Sequence, residues 1–276
     1  MTIVEAIVLG LVQGLTEFIP VSSTAHLLIV PSVLGWGDPG AAASAVIQFG
    51  TLLAAIIYFF SDIVRLTRGF FLGLVTRKPL ADVDSREAWL VVIGTIPIVV
   101  LGLTFKKHIE STFRGLWIVT TMVIVVAILM QIAEAYTKRQ GLKQREFDDM
   151  TVKDAVAIGL GQCLALIPGS SRSGSTIMPA IFRGINRPTA ARYSFLLSIP
   201  AVGGAGVLEL IKERHALAHL GWTPIIVAIA VAFISGYASI WFLIRYLRTH
   251  TTHVFIYYRY ALGAVLIVML ATGYLK

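Results

Sequence analysis

The sequence predicts an all-α polytopic membrane protein, and three observations carry that prediction. The 276 residues are 57% hydrophobic and only 14% charged, whereas a soluble domain carries roughly 25% charged residues. Long apolar stretches recur, each approaching the roughly 20 residues that a helix needs to cross a bilayer core. Two shorter apolar segments are each interrupted by proline and a run of Ser and Thr. These features predict about six transmembrane helices and two re-entrant helical hairpins in a single integral membrane domain, residues 1–276.

The long apolar stretches are predicted to be the spanning helices. They are residues 44–60, 88–105, 117–136, 192–210, 222–244 and 256–275. The interrupted segments are residues 3–34 and 155–187, and each break leaves apolar pieces of about 10–14 residues, a length that favours a hairpin over a spanning helix. Non-helical backbone at membrane depth is tolerated where it is buried in protein or lines a cavity. We therefore expect both breaks to lie inside the protein.

The chain also repeats itself. With one gap at Glu17, the aligned positions are Gln13 with Gln162, Pro20 with Pro168, and Ser22-Ser23 with Ser170-Ser171. Three long apolar stretches follow each copy, which predicts a first repeat at residues 1–138 and a second at 150–276. Because three crossings bring the chain to the opposite face, the second repeat is expected to be inverted.

The basic residues are distributed unevenly along the chain. When the 61–87 loop is placed inside, the inside segments carry 15 Lys and Arg and the outside segments carry 6. The inside segments are 61–87, 137–154, 183–192 and 245–255, and the outside segments are 1–43, 106–116, 211–221 and the last residue. The positive-inside rule then predicts that both termini lie outside. The net charge of +8 fits basic loops that face anionic lipid headgroups, so we expect membrane lipids and no nucleic acid as partners. The first residues lack a basic n-region and a small-residue cleavage site, so we expect no cleaved signal peptide.

The first break gathers groups that could transfer protons or attack a substrate. They are the carboxylate of Glu17, the hydroxyls of Ser22, Ser23 and Thr24, and the imidazole of His26. A charged group inside an apolar span costs about 2.5–3.5 kcal/mol, which favours a functional role, and these groups supply a base, nucleophiles and a proton shuttle. The structural alternative is a serine cap after a proline, with the carboxylate as its buried partner.

The second break has the residues of an anion site. Its run is Pro168-Gly169-Ser170-Ser171-Arg172-Ser173-Gly174-Ser175-Thr176. Glycines let backbone N–H groups surround an anion, and a helix that begins there directs its positive end at it. A guanidinium adds a bidentate fork for phosphate oxygens. The alternative is a polar surface loop. Neither a Walker A lysine pattern nor zinc-ligand spacing occurs, so an ATPase or a zinc hydrolase is not indicated.

Three other polar positions in apolar stretches are interpreted as structural. Gln48 and the pair Tyr193-Ser194 are expected to form hydrogen bonds between helices. Arg259 stands among tyrosines, and its side chain is expected to snorkel toward the membrane interface.

The motifs of both breaks resemble those of the bacterial undecaprenyl-diphosphatases, the bacitracin-resistance family. Residues 13–17 resemble that family's [Glu/Gln]-x-x-x-Glu element, and residues 20–26 resemble its Pro-Val-Ser-Ser-Thr-x-His element. Residues 168–176 resemble its Pro-Gly-x-Ser-Arg-Ser-x-x-Thr element. The likeness extends over the whole chain, and the two long motifs occur in the family's order. Gln13 takes the Gln option, where a carboxylate is the other choice.

The resemblance implies hydrolysis of undecaprenyl diphosphate to undecaprenyl phosphate and inorganic phosphate, in the bacterial inner membrane, at a site open to the external face. It also implies stimulation by a divalent cation, Mg²⁺ or Ca²⁺, and resistance to bacitracin. Monomer and homodimer both stay open.

Combined with the residues, the resemblance gives a mechanistic hypothesis. Ser23 is the first choice as nucleophile with His26 as its base, and direct attack by His26 is the rival. Glu17 would orient His26 or, with Gln13, hold the metal. Arg172 would stabilise the charge of the transition state. The terminal phosphate would be held by Ser22, Thr24, Gly169, Ser171, Ser173 and Thr176.

Two other functional classes stay open. Inverted repeats with broken helices that meet at the midplane are also the plan of secondary transporters. A transporter or flippase of an anionic substrate is therefore the serious alternative, and release of phosphate by the purified protein distinguishes it. A non-catalytic scaffold would tolerate replacement of His26 and Arg172.

Overall fold

The computed structural model describes residues 1–36, 40–105, 115–141, 144–212 and 221–275. These residues are mostly helical, which confirms the predicted fold class. In chain order the α-helices are α1 (Ile3–Glu17), α2 (Ser23–Val33), α3 (Gly40–Tyr58), α4 (Phe60–Thr76), α5 (Val83–Thr104), α6 (Leu116–Gln140), α7 (Val152–Gln162), α8 (Arg172–Phe182), α9 (Arg187–Lys212), α10 (Trp222–Leu247) and α11 (His253–Ala271). Short 3₁₀ turns cover Phe147–Asp149 and Cys163–Leu166.

Helices long and apolar enough to cross a membrane are α5, α6, α9, α10 and α11. The pair Val46–Tyr58 and Phe60–Thr76, bent by 73° at the junction of α3 and α4, makes a sixth when it is counted as one broken span. The prediction of about six spanning helices is thus confirmed for the described residues. The 61–87 segment, expected to be a loop, instead contains most of α4. That helix carries Asp62, Arg65 and Arg68, which explains why its composition did not indicate a span.

The two interrupted segments form helical hairpins. α1 packs against α2 across the first break, and α7 packs against α8 across the second. α1 ends at Glu17, three residues before Pro20, because proline disfavours helical backbone before it and lacks an N–H donor. In the second hairpin the Cys163–Leu166 turn follows α7 and leads into Pro168. A proline therefore lies within each break, between the two helices of the hairpin.

The first helix of each hairpin packs against a long helix of the other half of the chain. α1 packs against α10 of the second half, and α7 packs against α5 of the first. Glycine allows both close approaches: a Cβ on Gly10 would lie 2.7 Å from the Ala228 carbonyl oxygen, and one on Gly159 would lie 2.5 Å from that of Gly94. The inversion of the repeats and their boundaries stay predictions, but this reciprocal packing brings the two breaks to the same region.

The structural register of the two breaks differs from the sequence alignment. Ser22 and Ser171 are the N-caps of α2 and α8, with left-handed φ values of 77° and 67°. Each hydroxyl accepts a hydrogen bond from the N–H group three residues on. Ser22 is therefore equivalent to Ser171, not to Ser170. The alignment missed this because the second break is one residue longer between its proline and its cap.

Charged side chains pair at the ends of helices that adjoin the segments expected inside. The pairs are Arg65 with Asp84 and Glu87, Arg187 with Glu134, Arg192 with Asp62, and both Arg145 and Arg183 with Asp154. Burial raises the pKa of the Asp154 carboxyl, but hydrogen bonds from Arg145, Arg183 and Thr151 outweigh burial and hold this pKa well below its usual range. These contacts join α4 to α5 and α9, α6 to α9, and α7 to the segments that hold Arg145 and Arg183.

Candidate active site

The two breaks meet inside the protein. An Nη2 atom of Arg172, in the second break, donates to Oε1 of Glu17, at the end of the first helix, over 3.0 Å. The hydroxyl of Ser173 donates to the carbonyl oxygen of Ile19, 3.3 Å away. Both contacts join residues more than 150 positions apart in sequence. The groups singled out in the two halves therefore form one site.

Glu17 lies at the centre of this site. Its Oε2 atom accepts hydrogen bonds from the amide of Gln13, at 3.0 Å, and from the hydroxyl of Ser23, at 2.8 Å. Glu17 is 7% exposed and Gln13 is 2% exposed, so the carboxylate is nearly out of water. A hydroxyl within about 2.6–3.2 Å of a carboxylate is the arrangement of a nucleophile and its general base.

A cavity of about 190 Å³ opens beside these groups. Its polar wall consists of Glu17, Ser23, Thr24, Gln48, Ser171 and Arg172. The rest of its wall consists of Ile98, Ala165, Ile167, Pro168, Gly169, Ala201, Val202 and Ala205. This volume is below the roughly 300–1,000 Å³ of a pocket for a drug-sized ligand. The cavity therefore suits a small polar group whose apolar remainder extends beyond it.

Two helices begin at the cavity wall. Ser23 and Thr24 are the first residues of α2, and Ser171 and Arg172 are the N-cap and first residue of α8. The first N–H groups of a helix lack partners within that helix, and together with the helix dipole they favour a bound anion. The Nε atom of Arg172 is buried without a hydrogen-bond acceptor among the described residues. The cavity wall therefore offers an anion two helix N-termini and one unpartnered guanidinium donor, beside the carboxylate of Glu17.

Gly169 is required by the shape of the second break. Its φ of 93° is accessible mainly to glycine. A Cβ at this position would lie only 2.3 Å from the carbonyl oxygen of Val119 in α6. Gly169 also lines the cavity, so its close packing against α6 fixes the position of this part of the cavity wall.

Several residues expected to hold phosphate lie behind the cavity wall. Ser173 and Thr176 are fully buried, and Ser22 is 1% exposed. The Thr176 hydroxyl contacts that of Ser194 at 2.5 Å and donates to the carbonyl oxygen of Arg172 at 3.0 Å. Their visible role is to hold the backbone of the breaks in place. Ser23, Thr24, Gly169, Ser171 and Arg172 line the cavity as expected.

His26 has partners other than the expected ones. Its Nδ1 atom lies 2.7 Å from the carbonyl oxygen of Ser22, and its Nε2 atom lies 2.6 Å from the hydroxyl of Tyr258. The two rings are stacked, with centroids 5.6 Å apart. Because a carbonyl oxygen only accepts, Nδ1 carries the proton and Nε2 accepts from the tyrosine. The expected contact of His26 with Ser23 or Glu17 is not formed, and the base next to Ser23 is Glu17.

The donor set at Gln13 and Glu17 does not fit a resident divalent cation. Mg²⁺ and Ca²⁺ require about six or more oxygen ligands. Both Glu17 oxygens already accept hydrogen bonds, from Gln13, Ser23 and Arg172. Across the described residues, no group of three His, Cys, Asp or Glu side chains could hold a metal ion. A cation at Glu17 would have to displace the guanidinium.

Gln48 and Arg259 were interpreted as structural from the sequence, but both contribute to the site. Gln48 lines the cavity instead of simply joining two helices. Arg259 is fully buried and donates to backbone carbonyls of both breaks, so the expectation that it snorkels to the interface is wrong. The signal for both was a polar residue in an apolar stretch, but nothing in that stretch indicated which groups these side chains contact.

Comparison with known proteins shows the family of this chain. The family model described as bacitracin resistance protein BacA matches residues 6–265. A protein of Chloroherpeton thalassium named undecaprenyl-diphosphatase is 52% identical over 281 residues, which cover 100% of this chain and 99% of the relative. A protein of Myxococcus xanthus with the same name is 51% identical over 276 residues, covering 100% of this chain and 92% of the relative. The chain therefore belongs to the bacitracin resistance protein family that the resemblance of its two breaks indicated.

Proposed function

We propose that this protein is an integral membrane phosphatase that hydrolyses undecaprenyl diphosphate to undecaprenyl phosphate and inorganic phosphate. The observation that carries the proposal is the contact of Ser23 with Glu17, and of Glu17 with Arg172, at the wall of one cavity. A nucleophile, a base and a phosphate-binding cation therefore lie within reach of one bound group. The identity of the substrate is inferred from the name of the relatives, undecaprenyl-diphosphatase.

In this proposal the diphosphate headgroup binds in the cavity, and the prenyl chain lies outside it. Phosphate oxygens accept hydrogen bonds from Arg172, including its unpartnered Nε, and from N–H groups at the starts of α2 and α8. The amide of Gln48 reaches the same space. The apolar wall, with Ile98 on α5 and Ala201 on α9, faces the first isoprene units. A cavity of about 190 Å³ leaves the rest of the chain among lipids.

The first chemical step transfers the terminal phosphoryl group to Ser23. Its hydroxyl oxygen bonds to the terminal phosphorus, its proton passes to Glu17, and the bridging P–O bond breaks with its electrons on undecaprenyl phosphate. Phosphoryl transfer depends mainly on positioning and on stabilising the charge of the equatorial oxygens. Arg172 and the helix N-termini supply this stabilisation. The guanidinium of Arg172 shifts from Glu17 toward the phosphate as the substrate enters.

The second step releases phosphate. Water attacks the phosphorus of phosphoserine, Glu17 relays the proton, and the Ser23–phosphorus bond breaks. The two steps together consume one water molecule and release one inorganic phosphate for each diphosphate that is cleaved. In this scheme His26 positions α2 through Ser22 and Tyr258, whereas direct attack by His26 would require its ring to leave both partners.

The protein is proposed to act in the bacterial plasma membrane with its site open to the external face. Ile98 and Ala201 lie in the later parts of α5 and α9, which lead to segments 106–116 and 211–221. These are expected outside from the summed Lys and Arg counts of all inside and outside segments. The paired charges lie at the opposite helix ends. By recycling the lipid carrier of peptidoglycan synthesis, the activity confers bacitracin resistance. Dimer formation stays a prediction.

Stimulation by Mg²⁺ or Ca²⁺ also stays a prediction, and no chemical step is assigned to the cation. A chelator tests it: turnover falls when divalent cations are removed and returns when either ion is added back.

Phosphate release from undecaprenyl diphosphate by the purified protein tests the proposal. Wild type should release phosphate, and Ser23→Ala should lower the rate by about 10²-fold or more, since the nucleophile is removed. Ser32→Ala is the matched control, because Ser32 lies on the same helix and its exposed hydroxyl donates to the carbonyl oxygen of Leu28, away from the cavity lining. No release by wild type would favour a transporter. A Ser23→Ala rate equal to that of the control would refute Ser23 as nucleophile.

A further inference from the structure

Arg259 connects the two breaks from behind the cavity. It lies in α11 and is fully buried. Its Nη1 atom donates to the carbonyl oxygen of Pro20 at 3.3 Å, in the first break. Its Nη2 atom lies 3.2 Å from the carbonyl oxygens of both Gly169 and Ser170, in the second break. One guanidinium therefore holds backbone from both halves of the chain.

The same side chain is anchored to α6. Its Nε atom donates to the carbonyl oxygen of Val123 at 3.0 Å, and Nη2 lies 3.1 Å from that of Met122. Each hydrogen-bond acceptor of this guanidinium among the described residues is thus a backbone carbonyl. A buried cation without a carboxylate partner is costly. The arrangement is explained if the fold needs a planar, many-donor group at this position.

We infer that Arg259 is a positioning residue, which fixes the two breaks relative to each other so that Ser23 and Glu17 face Arg172. The inference rests on the proposed function. The Glu17–Arg172 contact has to loosen when a phosphate recruits the guanidinium of Arg172. The contacts of Arg259 are made to carbonyl groups that take no part in the reaction, so they persist through turnover.

Only arginine suits this role. A guanidinium presents five N–H donors in a rigid plane, whereas a lysine ammonium offers three donors from a single atom. Lysine can keep the charge and some contacts, but it cannot hold Pro20, Gly169 and Val123 at once. Glutamine has two donors and no charge. A misplacement of about 1 Å in a reacting site can cost about 10²-fold in rate, so loss of these contacts should lower turnover rather than substrate binding.

The first test measures kcat and KM for phosphate release by Arg259→Lys and Arg259→Gln. The matched control is Arg187→Gln, which breaks the contact of a half-buried arginine with the buried Glu134, far along α6 from Val123. We expect kcat to fall about 10-fold in the lysine variant and about 10²-fold in the glutamine variant, with KM within threefold. The control should lose thermal stability in detergent but keep kcat within twofold. Equal losses of kcat in Arg259→Gln and Arg187→Gln would overturn the positioning role.

The second test does not depend on activity, so it separates this inference from the proposed function. Spin labels at Ile19→Cys and Ile167→Cys, with Cys163→Ser to remove the native thiol, report the distance between the two breaks. We expect a narrow distance distribution with Arg259 present, and in Arg187→Gln, and a broader one in Arg259→Gln or Arg259→Lys. Unchanged widths in both Arg259 variants would refute the inference even if wild type hydrolyses the lipid. If the glutamine variant does not fold, the lysine variant decides.

Discussion

Replacing Glu17 with glutamine tests the base of the reaction. The carboxylate accepts from Ser23 at 2.8 Å and from Arg172 at 3.0 Å. Glutamine has nearly the same shape and keeps one acceptor oxygen, so the Ser23 hydroxyl can still find a partner. It cannot take up a proton at neutral pH. The substitution therefore removes proton transfer and leaves most of the geometry in place.

The size of the effect follows from these contacts. General-base catalysis contributes about 10²–10⁴-fold, or about 2.7–5.4 kcal/mol of transition-state stabilisation at 1.36 kcal/mol per tenfold. KM should stay the same or fall, because Arg172 loses its anionic competitor and is free for the phosphate. Removing one partner of a buried ion pair costs up to about 3–5 kcal/mol of stability. The cost should be smaller here, since the guanidinium borders the cavity and can bind water or phosphate.

The assay is phosphate release from undecaprenyl diphosphate in detergent, with kcat and KM measured separately. Glu5→Gln is the matched control, because Glu5 lies on the same helix and acts in its capping box, where glutamine works equally well. We expect the control to match wild type and Glu17→Gln to lose at least about 10²-fold in kcat. A Glu17→Gln enzyme with kcat within threefold of the control would show that another group takes the proton.

Three further substitutions test other parts of the structure. Arg172→Ala should lower kcat/KM by about 10³-fold, the lower end of what a catalytic arginine contributes to phosphoryl transfer; near-normal hydrolysis would remove the phosphate-site assignment. Gly169→Ala should lower the melting temperature in detergent and abolish release, because its Cβ would lie 2.3 Å from the Val119 carbonyl oxygen; an unchanged melting temperature would contradict the close packing. Asp154→Asn should destabilise the protein at pH 7 and less so at pH 3. The Asp154 pKa is lowered in the fold, so its stabilisation is complete above its unfolded value of about 3.9 and is lost as pH falls toward the folded value. An equal loss at both pH values would exclude this linkage.

Much of the fold could be predicted because membrane helices are visible in composition. Long apolar stretches have few alternatives in a chain with 14% charged residues, and proline marks the hairpin breaks directly. α4 was missed because Asp62 and Arg65 pair with charges elsewhere in the fold. A sequence does not show such pairing.

The candidate site was predictable where a residue stands out locally. Glu17 and Arg172 are charged groups inside apolar segments, and the structure brings them into contact. The surroundings of His26 were not predictable, because Tyr258, which contacts its ring, is 232 positions away. The same limit applies to Arg259. Its acceptors are backbone carbonyls, and because every residue type has one, the sequence does not indicate which of them Arg259 contacts. Local sequence singled out groups that the structure brings together, whereas their other partners depend on helix packing between the halves.

The most direct test of a single site built from both breaks is a double-mutant cycle on phosphate release. Ser23→Ala changes the first half, Arg172→Ala changes the second, and the double variant combines them. Groups that act as a unit are strongly non-additive, so we predict that the double variant is at most a few-fold slower than the slower single variant. A double variant slowed by the product of the two single effects would mean that the breaks act independently, and it would contradict the shared active site.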